Sequence, residues 1–171
     1  RSRITGAARS ATRHLTSSSR STNDMNDSKS DLVRHFEDIY VRHMQDLPIV
    51  NPRVQVEAVG FQDYEGHELG VLITPWFMNL VLLPAGDAWR DSNQGDISTI
   101  RFPSGPIEFT TSRDEILGTY LTAVLFRSVS DMPDQETARD IALEVMKSLF
   151  EPAKSEHSLS RRELLTGLRS R

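Results

Sequence analysis

The stretch Leu69-Gly70-Val71-Leu72-Ile73-Thr74-Pro75-Trp76-Phe77-Met78-Asn79-Leu80-Val81-Leu82-Leu83 decides the fold. It reads as two apolar β-like runs, Leu69–Thr74 and Phe77–Leu83, with Pro75 breaking the run between them. Successive side chains on an extended strand point to opposite faces, so Trp76, Phe77 and Met78 cannot all enter one core. One or two of them are expected at or near the surface. Working outward, further β-like runs occupy Val54–Phe61, Ile107–Thr110 and Leu117–Val129. Turn signals at Asp63–Gly66, Pro84-Ala85-Gly86-Asp87 and Pro103-Ser104-Gly105-Pro106 separate several of them. Strands joined by short turns imply antiparallel pairing.

Two helical patterns flank this block. The first runs from a cap at Ser28 or Ser30 to about Asp46, with Leu32, Phe36, Ile39, Tyr40, His43 and Leu47 on one stripe. Pro48 and Asn51-Pro52 end it. The second covers about Pro133 to Phe150, with Ala138, Ile141, Ala142, Val145 and Leu149 as a narrow apolar stripe. Helix, strands, helix is the order of an α+β domain: an antiparallel sheet of about five strands, with an N-terminal and a C-terminal helix packed together on one face. The polar stretch Arg90 to Ser98 reads as a loop.

Charge is distributed unevenly. Residues 1–24 carry five arginines and one acid, residues 25–151 ten basic and twenty-one acidic groups, and residues 152–171 five basic and two acidic groups. A body at −11 between basic tails repels phosphate backbones, which disfavours nucleic acid and favours a cationic peptide. The leading residues 1–27 hold too few apolar groups to order themselves, and their Arg-rich, acid-poor composition also fits a transit peptide; Met25 as the true start is the plainer reading. The domain is thus expected over 28–151, with a basic tail over 152–171. The longest apolar stretch, Val71 to Leu83, is broken by Thr74, Pro75 and Asn79 and falls short of the ~20 residues of a membrane span.

Reactive chemistry has little to stand on. The 171 residues include no cysteine, which removes thiolate nucleophiles, disulfides and cysteine-ligated metals. Asp31, His35 and Asp38 share a helix face, but charged edges of helices commonly look like this, and a metal is disfavoured. His43, inside the apolar stripe, is expected to be a core histidine. Neither a nucleophile elbow nor a Gly-rich phosphate loop occurs, and Ser112 with Glu115 is expected to be a capping box rather than part of an acid–base site. No catalytic residue, cofactor or metal is assigned. The segment Thr74, Pro75, Trp76, Phe77 and Met78 instead suggests a partner-binding groove with an aromatic anchor and an adaptable methionine. The tail Ser160-Arg161-Arg162-Glu163-Leu164-Leu165-Thr166-Gly167-Leu168 reads as a short capped amphipathic helix; it also resembles a twin-arginine export motif, with Leu164 in place of Phe and Thr166 in place of Lys.

The N-terminal helix, the string Ile73-Thr74-Pro75-Trp76-Phe77-Met78 leading into Val81-Leu82-Leu83-Pro84, the Leu121 to Phe126 strand and the Arg-Arg-x-Leu-Leu-x-Gly tail together resemble the HybE-type assembly chaperones of nickel-iron hydrogenases. The resemblance covers about residues 28–171. It implies a cytoplasmic accessory protein, not an enzyme, that engages a hydrogenase structural subunit precursor before export, above all the small subunit and its twin-arginine signal peptide. On that basis Thr74, Pro75, Trp76, Phe77, Met78, Arg161 and Arg162 are the partner-binding candidates. Some relatives carry a fused rubredoxin-like iron site; without cysteines that role is not inherited here. The alternative reading is a small-molecule sensor of the same α+β class, distinguished by weak salt dependence of its binding.

Overall fold

The computed structural model describes the backbone of residues 22–152, with side chains from residue 27 onward. Six strands, β1 (Glu57–Tyr64), β2 (His67–Ile73), β3 (Met78–Leu83), β4 (Ile97–Phe102), β5 (Gly105–Asp114) and β6 (Gly118–Phe126), lie between helices α1 (Thr22–Ile39) and α2 (Gln135–Phe150). They form one sheet in the order β1-β2-β3-β6-β5-β4, every neighbouring pair antiparallel. The α+β class and the antiparallel sheet with its two helices are as the sequence implies. The two edge strands approach each other at one end, where the Tyr64 hydroxyl donates to the Arg101 carbonyl at 2.9 Å and the Tyr64 and Phe102 rings are 4.9 Å apart. The sheet is therefore curled, as right-handed strand twist requires of six strands.

The helices cover opposite faces rather than sharing one. Leu69, Val71 and Ile73 of β2 point to the same core as Ala138, Ala142, Met146 and Leu149 of α2, whereas Leu72 points to Leu32 and Phe36 of α1. The β2–β3 hairpin is apolar on both faces over most of its length, and the period-2 alternation of its side chains demands cover on each side. A sequence run such as Val71-Leu72-Ile73 signals that double burial.

Other boundaries also move. β4 is a sixth strand, beginning inside the stretch expected to be loop; it is an edge strand, and only Ser98, Ile100 and Phe102 turn inward while Ile97, Thr99 and Arg101 face out. Helix α1 starts at Thr22, before either serine. Its far end changes to a π-helical turn over Tyr40–Met44, closed by Gln45 N–H to Tyr40 O at 2.9 Å. The wider turn shifts the phase of the apolar stripe, so His43 and Leu47, expected in the core, are exposed. Helix α2 is capped by Asp134, whose carboxylate accepts from Thr137 N at 2.8 Å and is thereby held below its usual pKa; Pro133 precedes the cap.

Two glycines set the close approaches. Gly60, at φ +66° in the β1 bulge, lets the Met146 side chain of α2 come within 2.9 Å of where a Cβ would sit. At Gly70 a Cβ would overlap the Phe61 ring, which lies across β2 on the α1 face. Among the described residues no helix is long and apolar enough to cross a membrane.

Candidate functional site

The β2–β3 connection, residues 74–77, is closed by one side chain. Thr74 Oγ1 accepts from Phe77 N at 2.9 Å and from Trp76 N at 3.3 Å and donates to Phe77 O at 2.9 Å, while Thr74 N also reaches Phe77 O at 2.9 Å. Pro75 presents its carbonyl to Asn51 N at 2.7 Å. Asn51 is itself a buried clamp, with its amide donating to Val129 O at 2.9 Å and Met132 O at 2.8 Å and its carbonyl accepting from Arg53 N at 3.0 Å. A short Thr-centred turn, tied to two other segments, thus fixes where Trp76 and Phe77 project.

They project into a row of rings on the α1 face. Tyr40 and Trp76 stack with centroids 6.3 Å apart and planes 11° from parallel; Trp76 meets Phe77 edge-on at 5.6 Å, and Phe77 meets Phe36 edge-on at 5.8 Å. These are favourable aromatic geometries. The row continues to His35, edge-on to Phe36 at 5.4 Å, whose Nε2 lies 2.9 Å from Asp114 Oδ2. Asp114 Oδ1 meanwhile accepts from Ile116 N and Leu117 N, so this aspartate shapes the β5–β6 turn that the sequence assigns to Ser112 and Glu115. Ser112 faces Thr122 across the strands at 3.3 Å instead. Tyr120, buried in the same layer, has its phenol pushed up to about 12 by burial and then by the Asp114 charge, and stays neutral.

Tyr40, Trp76 and Phe77 are each half-buried, whereas Thr74 and Pro75 are buried supports. Met78 is fully buried and belongs to the core on the α2 side, so it offers no surface beside Trp76. On β6, Val124 pairs with Asn79 and is 54% exposed, while Phe126, 38% exposed, pairs with the core residue Met78. Leu47 and Ile49, in the segment that Asn51 ties to Pro75, are exposed as well. Val124 and Phe126 lie inside the β-like run Leu117–Val129 and are not singled out by the sequence; their alternation with Ala123 and Leu125 was the available signal. Arg161 and Arg162 lie outside the described residues.

The three helix residues weighed as a metal cluster have separate partners. Asp31 lies 3.2 Å from Arg34, His35 pairs with Asp114, and Asp38 lies 3.2 Å from Arg42. On the other face, Glu57 binds Arg139 through two contacts of 2.9 Å and accepts from Gln135 at 2.6 Å, which ties β1 to α2. Beside α2 runs an apolar groove of about 360 Å³, between the helix and β5 and β6.

A half-exposed row of rigid aromatic side chains, carried by a turn that Thr74 and Asn51 hold in place, is the kind of surface that binding proteins present. Comparison with known proteins makes the class specific: residues 27–167 match the family of the NiFe-hydrogenase assembly chaperone HybE, and the chain belongs to that family. It is 41% identical over 135 residues to the hydrogenase expression/formation protein HupJ of Bradyrhizobium diazoefficiens, covering 79% of each chain. It is 43% identical over 122 residues to the probable rubredoxin HupJ of Rhodobacter capsulatus; that match takes in 71% of this chain but only 44% of the length of the relative. The hydrogenase-2 operon protein HybE of Escherichia coli K12 is 29% identical over 147 residues. The solution structure of HybE from Escherichia coli has the same fold, with a TM-score of 0.56 at 23% identity over 72% of this chain and 76% of that one.

Proposed function

We propose that this chain is a non-catalytic accessory chaperone that binds the small-subunit precursor of a nickel-iron hydrogenase, with its twin-arginine signal still attached, in the cytoplasm before export. Family membership supports the assembly role. The observation that carries the contact surface is the half-exposed row of stacked and edge-on rings, Tyr40, Trp76 and Phe77. Rigid aromatic side chains that are already partly ordered lose little entropy on docking, which is what an interface anchor needs. The acidic excess of residues 25–151 suits a ligand in which two arginines precede an apolar stretch. Thr74 and Pro75 act as the supports of the anchor, and Arg161 and Arg162 as a second charged contact.

The test is co-purification of the full chain with small-subunit precursors that keep or lack the signal peptide, at low and high salt. Capture of the signal-bearing form, weakened by salt, supports the reading. Equal capture of both forms removes the signal peptide from it. Tight binding of an uncharged small molecule with little salt dependence, and of neither precursor, replaces the chaperone with a sensor.

A further inference from the structure

The groove beside α2 is unfinished in a specific way. Because the sheet curls, α2 packs on β1 and β2 and leaves β5 and β6 as the facing wall. Ile107 and Leu125 on that wall, and Ile141 and Val145 on the flank of α2, remain half-buried, although Ile141 and Val145 belong to the helix's own apolar stripe. Leu149 lines the groove at the end nearest the C-terminus of α2, and Glu144 lines it further back along the helix. A helix whose stripe is wider than the surface it covers expects a second neighbour.

From this groove we infer that its occupant is the C-terminal segment of the same chain, docked as a short helix antiparallel to α2. Five observations converge. The α2 helix ends at Phe150, beside Leu149 at the mouth of the groove, and Pro152 follows, so the chain leaves where a return would begin. Residues 161–168, headed by the Ser160/Glu163 capping pair, place Leu164, Leu165 and Leu168 on one helical face, and eight helical residues span about 12 Å, comparable to the stretch of α2 from Ile141 to Leu149. The intervening residues 152–159 are enough for a helix–helix connection of about 8 residues. Charge agrees as well: Arg161 and Arg162 head the segment, while Glu144 and Glu151, two carboxylates that share the single cation of Lys147 at 3.8 Å each, flank its berth. The family match also continues to residue 167, past the end of α2. An intramolecular tether of this length gives a high effective concentration, so even weak docking is populated.

The chain has no cysteine, so one introduced thiol reports on this docking without background. A nitroxide on Asp140→Cys, an exposed α2 position beside Ile141, should erase the amide NMR signals of Leu164 to Leu168 in the full-length protein. That loss should persist on dilution, weaken in high salt, and be reversed by Leu164→Asp with Leu165→Asp, which alter only the tail and leave residues 22–152 as they are. Tail signals unaffected by the label at low salt overturn the inference. Broadening that disappears on dilution overturns it too, and assigns the groove to the tail of a second copy.

Discussion

Replacing Trp76 by alanine tests anchoring apart from folding, because the turn that carries the ring does not depend on it. The backbone bonds of the 74–77 turn run through Thr74 and the main chain, so they survive the change. What is lost inside the fold is two ring contacts, to Tyr40 and to Phe77, from a side chain that is only half-buried. At about 0.5–1.5 kcal/mol per aromatic pair, the stability cost is about 1–3 kcal/mol. Loss of a buried interface anchor costs at least ~2 kcal/mol of binding, a rise of roughly 30-fold in Kd. Met78→Ala supplies the contrast: Met78 is fully buried in the other core, so its truncation should cost about 2–5 kcal/mol of stability while the molecules that stay folded bind as before. Precursor titration by anisotropy, run beside urea unfolding of both variants, reads the two quantities independently. If Trp76→Ala binds the precursor at the original affinity, or loses affinity only in proportion to its unfolded fraction, the aromatic row is not the contact surface.

Two further outcomes concern the frame. Asn51→Ala removes three side-chain hydrogen bonds in a buried position and should lower unfolding free energy by about 2–4 kcal/mol in urea titrations; Asn51→Asp should fare no better, since it sets a carboxylate against the Val129 and Met132 carbonyls. The Glu57 carboxyl is held below its ordinary value of 4.5, first by its hydrogen bond to Arg139, against the opposing effect of burial, so its contribution to stability is complete above that pH and lost as pH falls through the lowered folded value. Glu57→Gln should therefore flatten the acid limb of a stability–pH curve below about pH 4.5 and leave its slope near neutrality unchanged; an unaltered acid limb would show that the Arg139 pair contributes nothing measurable.

How far the sequence could be read depended on how local each signal was. Continuous apolar runs marked β2 and β3, which are buried on both sides, and alternating ones marked β5 and β6, which bury one face more than the other; in each the evidence lies in the run itself. Strand β4 carries less of it, because an edge strand buries one face and Ile97, an apolar residue pointing outward, breaks the pattern. Which face each helix covers depends on the phase between helix and sheet, and no single segment encodes that. The pivot of the site, Asn51, reads in sequence only as a helix terminator beside Pro52. Its structural partners lie 78 and 81 residues further along the chain, so nothing nearby announces the clamp. Trp76 and Phe77 were legible because a proline-broken run of three large side chains violates strand alternation, whereas the burial of Met78 followed from register, with Met78 opposite both Ile73 and Phe126.

The aromatic row is held at both ends by polar side chains, and this bears on why it stays half-exposed instead of collapsing into the core. At one end Thr74 and Asn51 fix the backbone that carries Trp76 and Phe77; at the other the His35–Asp114 contact fastens α1 to the β5–β6 turn, setting the height of Phe36 above the sheet. Between these two fixings the rings support one another edge-to-face, so Trp76 cannot sink without lifting Phe77 from Phe36. An apolar surface kept in place this way is ordered before anything binds, and the entropy that a loose loop would lose on docking has already been spent in folding. On the opposite, concave face Phe109 meets Phe102 at 6.3 Å and Ser104 N–H donates to Leu149 O at 3.2 Å, but beyond these Ile107 and Leu125 meet an open groove rather than rings. A rigid convex platform and an open concave groove are different kinds of surface. The first suits a partner that arrives from solution, and the second suits a segment already tethered nearby, whose high effective concentration offsets a weaker fit.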